Sequence, residues 1–208
     1  MMFENFAASF KPDQTPTTAS GASVAPIPGA TGFSEFLTKY SGTSFNQGLY
    51  RVHAAGDVEK WTGIVVTAFP EYASRITCYA HDWLGRHICI DHESLEGGQA
   101  QTLLMEPGTG EALNIPVNFV QFHDDELVNH HDAALASGFY KQWLSAGGKM
   151  PSAGNCIGYK KPMFLNGADE LENLEEQDMD VYWTISGQLL AKVRGLPPGT
   201  SLGSVSIS

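Results

Sequence analysis

Apolar residues recur at helical spacing in two segments of the first third of the chain. In residues 33–40 (FSEFLTKY) and 58–72 (VEKWTGIVVTAFPEY) they fall three or four positions apart. This spacing predicts one amphipathic helix in each segment. The second helix should end at Pro70, because proline cannot continue a helix.

The pattern changes to short β-rich runs between residues 74 and 91 (SRITCYAHDWLGRHICID). Two such runs flank Leu84 and Gly85, and the glycine supplies the turn, so the segment predicts a β-hairpin. The following residues 101–107 (QTLLMEP) predict another strand. Residues 108–116 (GTGEALNIP) continue that strand into a turn.

The second half of the chain is mainly helical in its spacing. Residues 118–130 and 131–146 predict helices that stop at Gly147 and Gly148. Residues 156–165 (CIGYKKPMFL) predict an edge strand, and residues 166–193 an acidic loop leading into a helix. The resulting fold class is α+β, with an antiparallel sheet of hairpins from the first half packed against helices mostly from the second half.

Residues 11–32 are rich in proline, serine, threonine, alanine and glycine, and they contain no aromatic residue. Such a stretch buries too little apolar surface to offset its ordering entropy. We therefore expect residues 1–32 to form a flexible N-terminal tail and linker, and residues 33–208 to form a single domain. The first ten residues, with three phenylalanines, leave open a short helix that docks on this domain.

The chain carries a net charge of −11, from 23 acidic residues against 12 lysines and arginines. This charge repels nucleic acid and anionic membranes, and it favours encounter with basic partners. No apolar run reaches the ~20 residues of a membrane span, and the N-terminus has no signal-peptide pattern. We expect a cytoplasmic protein that binds neither nucleic acid nor membrane.

Three widely spaced cysteines without a CxxC pair signal neither a zinc site nor a disulfide framework. Cys78 and Cys89 lie in apolar runs, so we interpret them as small buried hydrophobic residues. The sequence thus predicts no cofactor and no metal.

The first candidate site lies in the second half, where His123, Glu126 and His130 would share one helical face. Their order is not that of HExxH, and the face looks solvent-exposed. We favour an acidic helix start, in which Asp124, Asp125 and Glu126 offset the positive end of the helix dipole.

A second candidate is the end of the hairpin, with His87, Asp91, His92 and Glu93. If residues 87–91 form a strand, the side chains of His87, Cys89 and Asp91 should point the same way. No second cluster supports a catalytic or metal site there, so an ordinary strand end is favoured. The glycine-rich residues 106–112 (EPGTGEA) lack the Lys-Ser/Thr of a phosphate-binding loop and predict a tight turn. No nucleophile arrangement is evident, and the sequence predicts no catalytic residue.

The densest charge lies in residues 169–180, where seven of twelve residues are acidic and none is basic. The acidic residues are Asp169, Glu170, Glu172, Glu175, Glu176, Asp178 and Asp180. The stretch is either a solvated face or a docking surface for lysines and arginines of a partner. For docking, Leu171, Leu174 and Met179 would supply interleaved apolar anchors.

Several segments together resemble one known family. They read SFNQGLYRVH, CYAHDWLGRHICID, LLMEPGTGEALNIP, FHDDELV, CIGYKKPMFLNGADELENLEEQDMDVYW and GQLLAKVRGLPPGT. In order and spacing they resemble the C-terminal domain of type VI secretion DNase-immunity proteins, over about residues 33–208. Fuller members of that family carry a glutamic-acid-deaminase-like domain before it, where this sequence has the predicted tail.

The resemblance implies an immunity protein, not an enzyme, that binds a secreted nuclease toxin. We hypothesise that residues 169–180, helped by Asp124, Asp125 and Glu126, face the basic groove of the toxin. Two alternatives stay open at this point. One is a metal-assisted hydrolase that uses His123, Glu126 and His130, and the other is a protein-binding scaffold without an immunity role.

Overall fold

A six-stranded antiparallel sheet forms the centre of the structure, a computed structural model that describes residues 2–14 and 25–195. Each strand pairs with the next one along the chain, and short hairpin loops make all the connections in this sheet except that between β2 and β3, which contains a helix. The strands are β1 Ser44–Phe45, β2 Tyr50–Val52, β3 Ile76–Asp82, β4 His87–Glu96, β5 Gln99–Glu106 and β6 Glu111–Asn118.

The predicted hairpin is confirmed as β3 and β4. Gly85 adopts a left-handed φ of 75° in the turn between them, a conformation that favours glycine because it lacks a Cβ. The predicted strand over residues 101–107 is confirmed as β5. The tight turn predicted in residues 106–112 is confirmed at Gly108–Gly110, but the prediction that residues 108–116 end in a turn is wrong, because Glu111–Asn118 form strand β6.

A second, two-stranded antiparallel sheet joins β7 Asn155–Tyr159 to β8 Leu174–Asp178. The prediction of an acidic loop over residues 166–178 is therefore wrong for its last part. Leu174 is buried opposite Tyr159, and this burial holds the acidic segment in an extended pairing that its charge pattern does not indicate.

The helices confirm the predicted segments at residues 33–40 and 58–68, and the second ends before Pro70. No helix within the described residues has the length and apolar character of a membrane span. The α-helices are α1 Glu4–Ser9, α2 Phe33–Tyr40, α3 Val58–Ala68, α4 Phe119–Gln121, α5 Leu127–Asn129, α6 His131–Leu135, α7 Ser137–Ser145 and α8 Met179–Val193. A π-helical turn, Phe122–Glu126, joins α4 to α5, and 3-10 turns lie at Ala55–Asp57, Pro70–Tyr72, Met163–Leu165 and Leu171–Asn173.

Helices cover the central sheet on both faces. Because side chains alternate along a strand, Leu104 of β5 packs with Phe119 of α4, whereas its neighbour Leu103 packs on the other side with Val65 of α3 and Trp183 of α8. The arrangement confirms the α+β class and places the core in two layers, one on each side of the sheet.

The start of the predicted N-terminal tail, residues 1–32, is ordered and contains helix α1. Helix α1 lies in the core, where Phe3, Phe6 and Phe10 are buried and the ring of Phe6 lies 5.3 Å from that of Phe36. The proline-rich composition of the following linker concealed this docking, although the three phenylalanines indicated it. Residues 15–24 of the predicted tail lie outside the described residues.

Candidate functional site

His123, the centre of the candidate metal site, is fully buried rather than solvent-exposed. His123 Nδ1 donates a hydrogen bond to the carbonyl oxygen of Phe119 at 2.8 Å. Nε2 of the neutral His123 ring therefore accepts a hydrogen bond from the Tyr50 hydroxyl at 2.9 Å. Burial lowers the pKa of His123 to about 3. The side chain is thus a neutral, hydrogen-bonded part of the core.

The expected shared face of His123, Glu126 and His130 is not formed. The π-helical turn at Phe122–Glu126 breaks the spacing of three and four residues on which that expectation rests. Glu126 is half-buried and His130 exposed. Among residues 2–14 and 25–195, no group of three or more histidine, cysteine or acidic side chains is arranged to hold a metal ion.

Asp124 binds the N-terminal helix. Its Oδ2 accepts the backbone N–H of Phe3 at 2.8 Å, and its Oδ1 accepts that of Phe6 at 3.1 Å. The neighbouring Asp125 is exposed, and its carboxylate accepts a hydrogen bond from the Asn129 amide at 2.7 Å. The acidic residues at 124–126 therefore differ in their availability to a partner, although the sequence groups them together.

His87, Cys89 and Asp91 of β4 are all buried, but each has a different partner. Asp91 forms a bidentate ion pair with Arg75, at 2.8 and 2.6 Å. Cys89 faces another cysteine, and His87 Nδ1 lies 3.0 Å from Nε2 of His53. The three side chains therefore do not converge on one ligand position. This is the geometry of an ordinary strand end.

The structure contains a cluster of three buried histidines that was not predicted from the sequence. The ring centroid of His53 lies 5.1 Å from that of His81, 5.0 Å from that of His87 and 5.3 Å from that of Trp61. Burial lowers the pKa of all three histidines, that of His81 to about 4. His81 and His87 pair directly across the β3–β4 turn, and their equal distance from Leu84 was the signal that could have found them.

His53 and His81 also line an open cleft of about 460 Å³ together with Arg51. The Arg51 guanidinium donates to backbone carbonyl oxygens, including that of Ser152 at 2.7 Å. Two carboxylates, Asp13 and Asp57, line the same cleft. The mixture of one cation, two acids and neutral rings selects no single ligand chemistry.

The predicted turn at residues 106–112 belongs to a buried charge network. Arg86 pairs with Asp82 at 2.5 Å, and its Nη1 lies 3.6 Å from Glu106. Glu106 Oε1 also accepts the N–H of Gly108 at 3.3 Å. Burial raises the pKa of Glu106 to about 7. The glycine-rich segment is thus a turn fixed by Glu106 and not a phosphate-binding loop.

Four carboxylates of the acidic stretch form hydrogen bonds or ion pairs within the protein. Asp169 accepts the Tyr159 hydroxyl at 2.6 Å, and Asp180 pairs with Lys60 at 2.9 Å. The other two bind backbone N–H groups: Glu176 accepts from Ser152 at 2.7 Å, and Asp178 caps α8 by accepting from Val181 at 3.0 Å. The backbone hydrogen bond from Ser152 lowers the pKa of Glu176.

The other three carboxylates of the stretch, Glu170, Glu172 and Glu175, are exposed. Within the described part of the chain, none of them forms a side-chain hydrogen bond or ion pair. They lie within the six positions from 170 to 175, which lead into β8 and include its first two residues. We call this group the free-carboxylate patch.

The expectation that Leu171, Leu174 and Met179 serve as apolar anchors for a partner is wrong. Leu174 and Met179 are buried, and Leu171 is half-buried against the core, because β8 and α8 direct them inward. Val181 is the exposed apolar side chain here, with 53% of its surface accessible. It lies in the first turn of α8, a position that the sequence could not distinguish from its buried neighbours.

Comparison with known proteins gives a family match and a fold match. Residues 117–190 match the family model described as the C-terminal region of T6SS immunity protein Tdi1. This match supports the resemblance drawn from the sequence for that part of the chain. No curated protein sequence matches the chain.

The matching solved structures include the crystal structure of Atu4351 from Agrobacterium tumefaciens, with a TM-score of 0.65 and 18% sequence identity. It covers 90% of this chain and 89% of that one, so the shared fold extends beyond residues 117–190 into the central sheet.

Proposed function

Because residues 117–190 match the C-terminal family of type VI secretion immunity proteins, we propose that this chain neutralises a secreted nuclease toxin by binding it. The protein acts in the cytoplasm, where an incoming toxin would reach DNA. Its acidic surface covers the basic groove with which the nuclease holds the phosphate backbone. No catalytic residue takes part in this function.

The observation that carries the proposal is the free-carboxylate patch of Glu170, Glu172 and Glu175. Its three side chains are exposed and have no partner within the described residues, and all lie inside the family-matched segment. Unpaired carboxylates in a row attract lysine and arginine side chains without first breaking an internal ion pair. Residues that already cap helices or pair with Lys60 lack this advantage.

The charge of the whole chain supports the same partner. A net charge of −11 steers a basic protein toward the surface before any contact forms. Steering of this kind raises association rates more than it raises equilibrium affinity. Rapid association is the property that a cell needs against a toxin that arrives without warning.

Val181 supplies the apolar contact that a purely solvated acidic surface would lack. It is exposed in α8, three residues after Asp178, and the acidic strand β8 ends at that aspartate. We include Asp125 and Glu126 as a second, smaller contribution. We leave out Asp124, because its carboxylate is already bound to α1.

The test compares two double variants that change the net charge by the same amount. Glu172→Lys with Glu175→Lys reverses the free-carboxylate patch. Glu35→Lys with Glu96→Lys reverses two exposed glutamates on α2 and β4. Each pair is measured for association with the nuclease encoded beside the gene, by stopped flow at low and high salt, and for protection of cells that express the toxin.

We expect the patch variant to associate at least about tenfold more slowly at low salt, and the control variant to change by less than about threefold. Protection should fall only in the patch variant. Equal slowing in both variants would mean that overall charge, and not this patch, attracts the toxin. Unchanged association and protection in the patch variant would show that the patch is merely solvated.

A further inference from the structure

Cys78 and Cys89 face each other across the hairpin of β3 and β4. They are paired directly in the strand register, and their Sγ atoms lie 2.6 Å apart. Both are free thiols with no exposed surface. The interpretation of these residues as isolated small hydrophobic side chains therefore needs extension, because the fold brings them into contact.

A β-bulge creates this contact. Cys78 pairs with Cys89, whereas Ala80 pairs with Ile88, so Tyr79 is an extra residue on β3. The bulge turns Cys78 to the same face as the His81–His87 pair, although Cys78 and His81 are three positions apart in the sequence. Without it, the alternation of side chains would place these two positions on opposite faces.

We propose that Cys78 and Cys89 are a site of reversible oxidation, at which a small-molecule disulfide such as oxidised glutathione converts the two thiols into a cross-strand disulfide. Directly opposed residues of antiparallel strands have Cα atoms about 4.5–5.5 Å apart, within the range of about 4.4–6.8 Å that disulfides require. The bond forms without a change of strand register.

The reaction proceeds by two exchanges. The thiolate of one cysteine attacks the small disulfide, which forms a mixed disulfide and releases one small thiolate. The second cysteine loses its proton and attacks the protein sulfur of the mixed disulfide, and the second small thiolate leaves. The two protons of the cysteines end on the two released thiols, so one small disulfide is reduced and one protein disulfide is formed.

Helix α3 controls access to this site. It packs on the sheet face that carries both cysteines, and Thr62 of α3 accepts the backbone N–H of Cys78 at 3.0 Å. Burial raises the pKa of the Cys89 thiol, which makes its thiolate scarce while the helix is in place. The exchange therefore takes place when α3 opens locally, and its rate reports that opening.

The experiment incubates the folded protein with oxidised glutathione in excess and follows its intact mass. We expect a loss of about 2 Da, the two thiol hydrogens, without a lasting glutathione adduct. A peptide map should join Cys78 to Cys89, and dithiothreitol should restore the original mass. The oxidised protein should unfold at a higher temperature than the reduced protein, because the bond restricts the unfolded chain.

Two variants serve as controls. Cys156→Ala removes the third cysteine and should leave the 2 Da loss unchanged. Cys78→Ala should abolish it and leave either no reaction or a single glutathione adduct on Cys89. The proposal is overturned if the folded protein keeps its mass while the urea-unfolded protein loses 2 Da, or if the disulfide that forms includes Cys156.

Discussion

The carboxylate of Asp124 caps helix α1 from a distant part of the chain, since Asp124 Oδ1 accepts the N–H of Phe6, 118 positions earlier, at 3.1 Å. No side chain within α1 caps this helix. A helix of six residues is too short to persist alone, so its stability depends on Asp124 and on burial of its phenylalanines. The N-terminal segment and the helical region after β6 therefore stabilise each other.

Asp124→Ala should lower the free energy of unfolding by about 1–2 kcal/mol, the usual cost of losing an N-terminal cap. Urea denaturation measures this change. Asp125→Ala is the matched control, because Asp125 is exposed and accepts a hydrogen bond from the Asn129 amide, and it should alter stability by less than about 0.5 kcal/mol. Equal effects of the two changes would argue against the capping role.

Phe6→Ala should destabilise the protein by about 3–5 kcal/mol, because the ring is fully buried among other aromatic rings and its removal leaves a cavity. Met2→Ala, on the same segment but partly exposed, should cost far less. Urea midpoints of both variants give the comparison. If Phe6→Ala were neutral, the first fourteen residues would behave as the dispensable tail that their composition indicates.

Arg86→Met should cost about 3–5 kcal/mol, because it leaves Asp82 buried without its partner. The Lys60–Asp180 pair is a contrasting case, since both side chains are about half exposed. Lys60→Met should therefore cost less than about 1 kcal/mol. Thermal or urea unfolding of the two variants separates these values, and similar costs would mean that the buried network contributes no more than a surface pair.

The sequence predicted the helices and strands in which apolar residues recur at regular spacing. Helices α2 and α3 and the β3–β4 hairpin follow directly from spacing and from Gly85. It did not predict β8, because the alternation there depends on the single buried Leu174 amid carboxylates. It left a docked N-terminal helix open, but it did not indicate that Asp124, from a distant part of the chain, binds α1.

The sequence predicted where the candidate site lies but not which of its carboxylates are free to bind a partner. Charge density identified residues 169–180, yet the sequence cannot show that Asp178 caps a helix while Glu175 has no side-chain partner among residues 2–14 and 25–195. The pairing of Cys78 with Cys89 depends on the bulge at Tyr79, which shifts the register by one residue. Such shifts arise from packing on both sides of the sheet and leave little trace in local composition.

The stability of the protein should fall steeply as the pH drops below about 6.5, the ordinary pKa of histidine. Burial lowers the pKa of His123 to about 3 and that of His81 to about 4, and it lowers those of His53 and His87 as well. The unfolded chain therefore takes up these protons first. The stabilisation is complete above the unfolded pKa and is lost as the pH falls toward the folded values.

Glu106 acts in the opposite direction, because burial raises its folded pKa to about 7. Its contribution is present at low pH and is lost as the pH rises through 7, so it offsets about one of the four histidine protons. Near pH 5 the unfolded chain should therefore bind more protons than the folded protein, so the free energy of unfolding should have a positive slope against pH.

Urea denaturation at several values between pH 7.5 and about 5 measures this slope. His123→Gln should reduce the slope by about one proton, whereas His130→Gln, at an exposed position, should leave it unchanged. A stability that stays level over this range would mean that the buried histidines reach solvent and take up protons without unfolding. An equal change of slope in both variants would assign the effect to surface charge instead of burial.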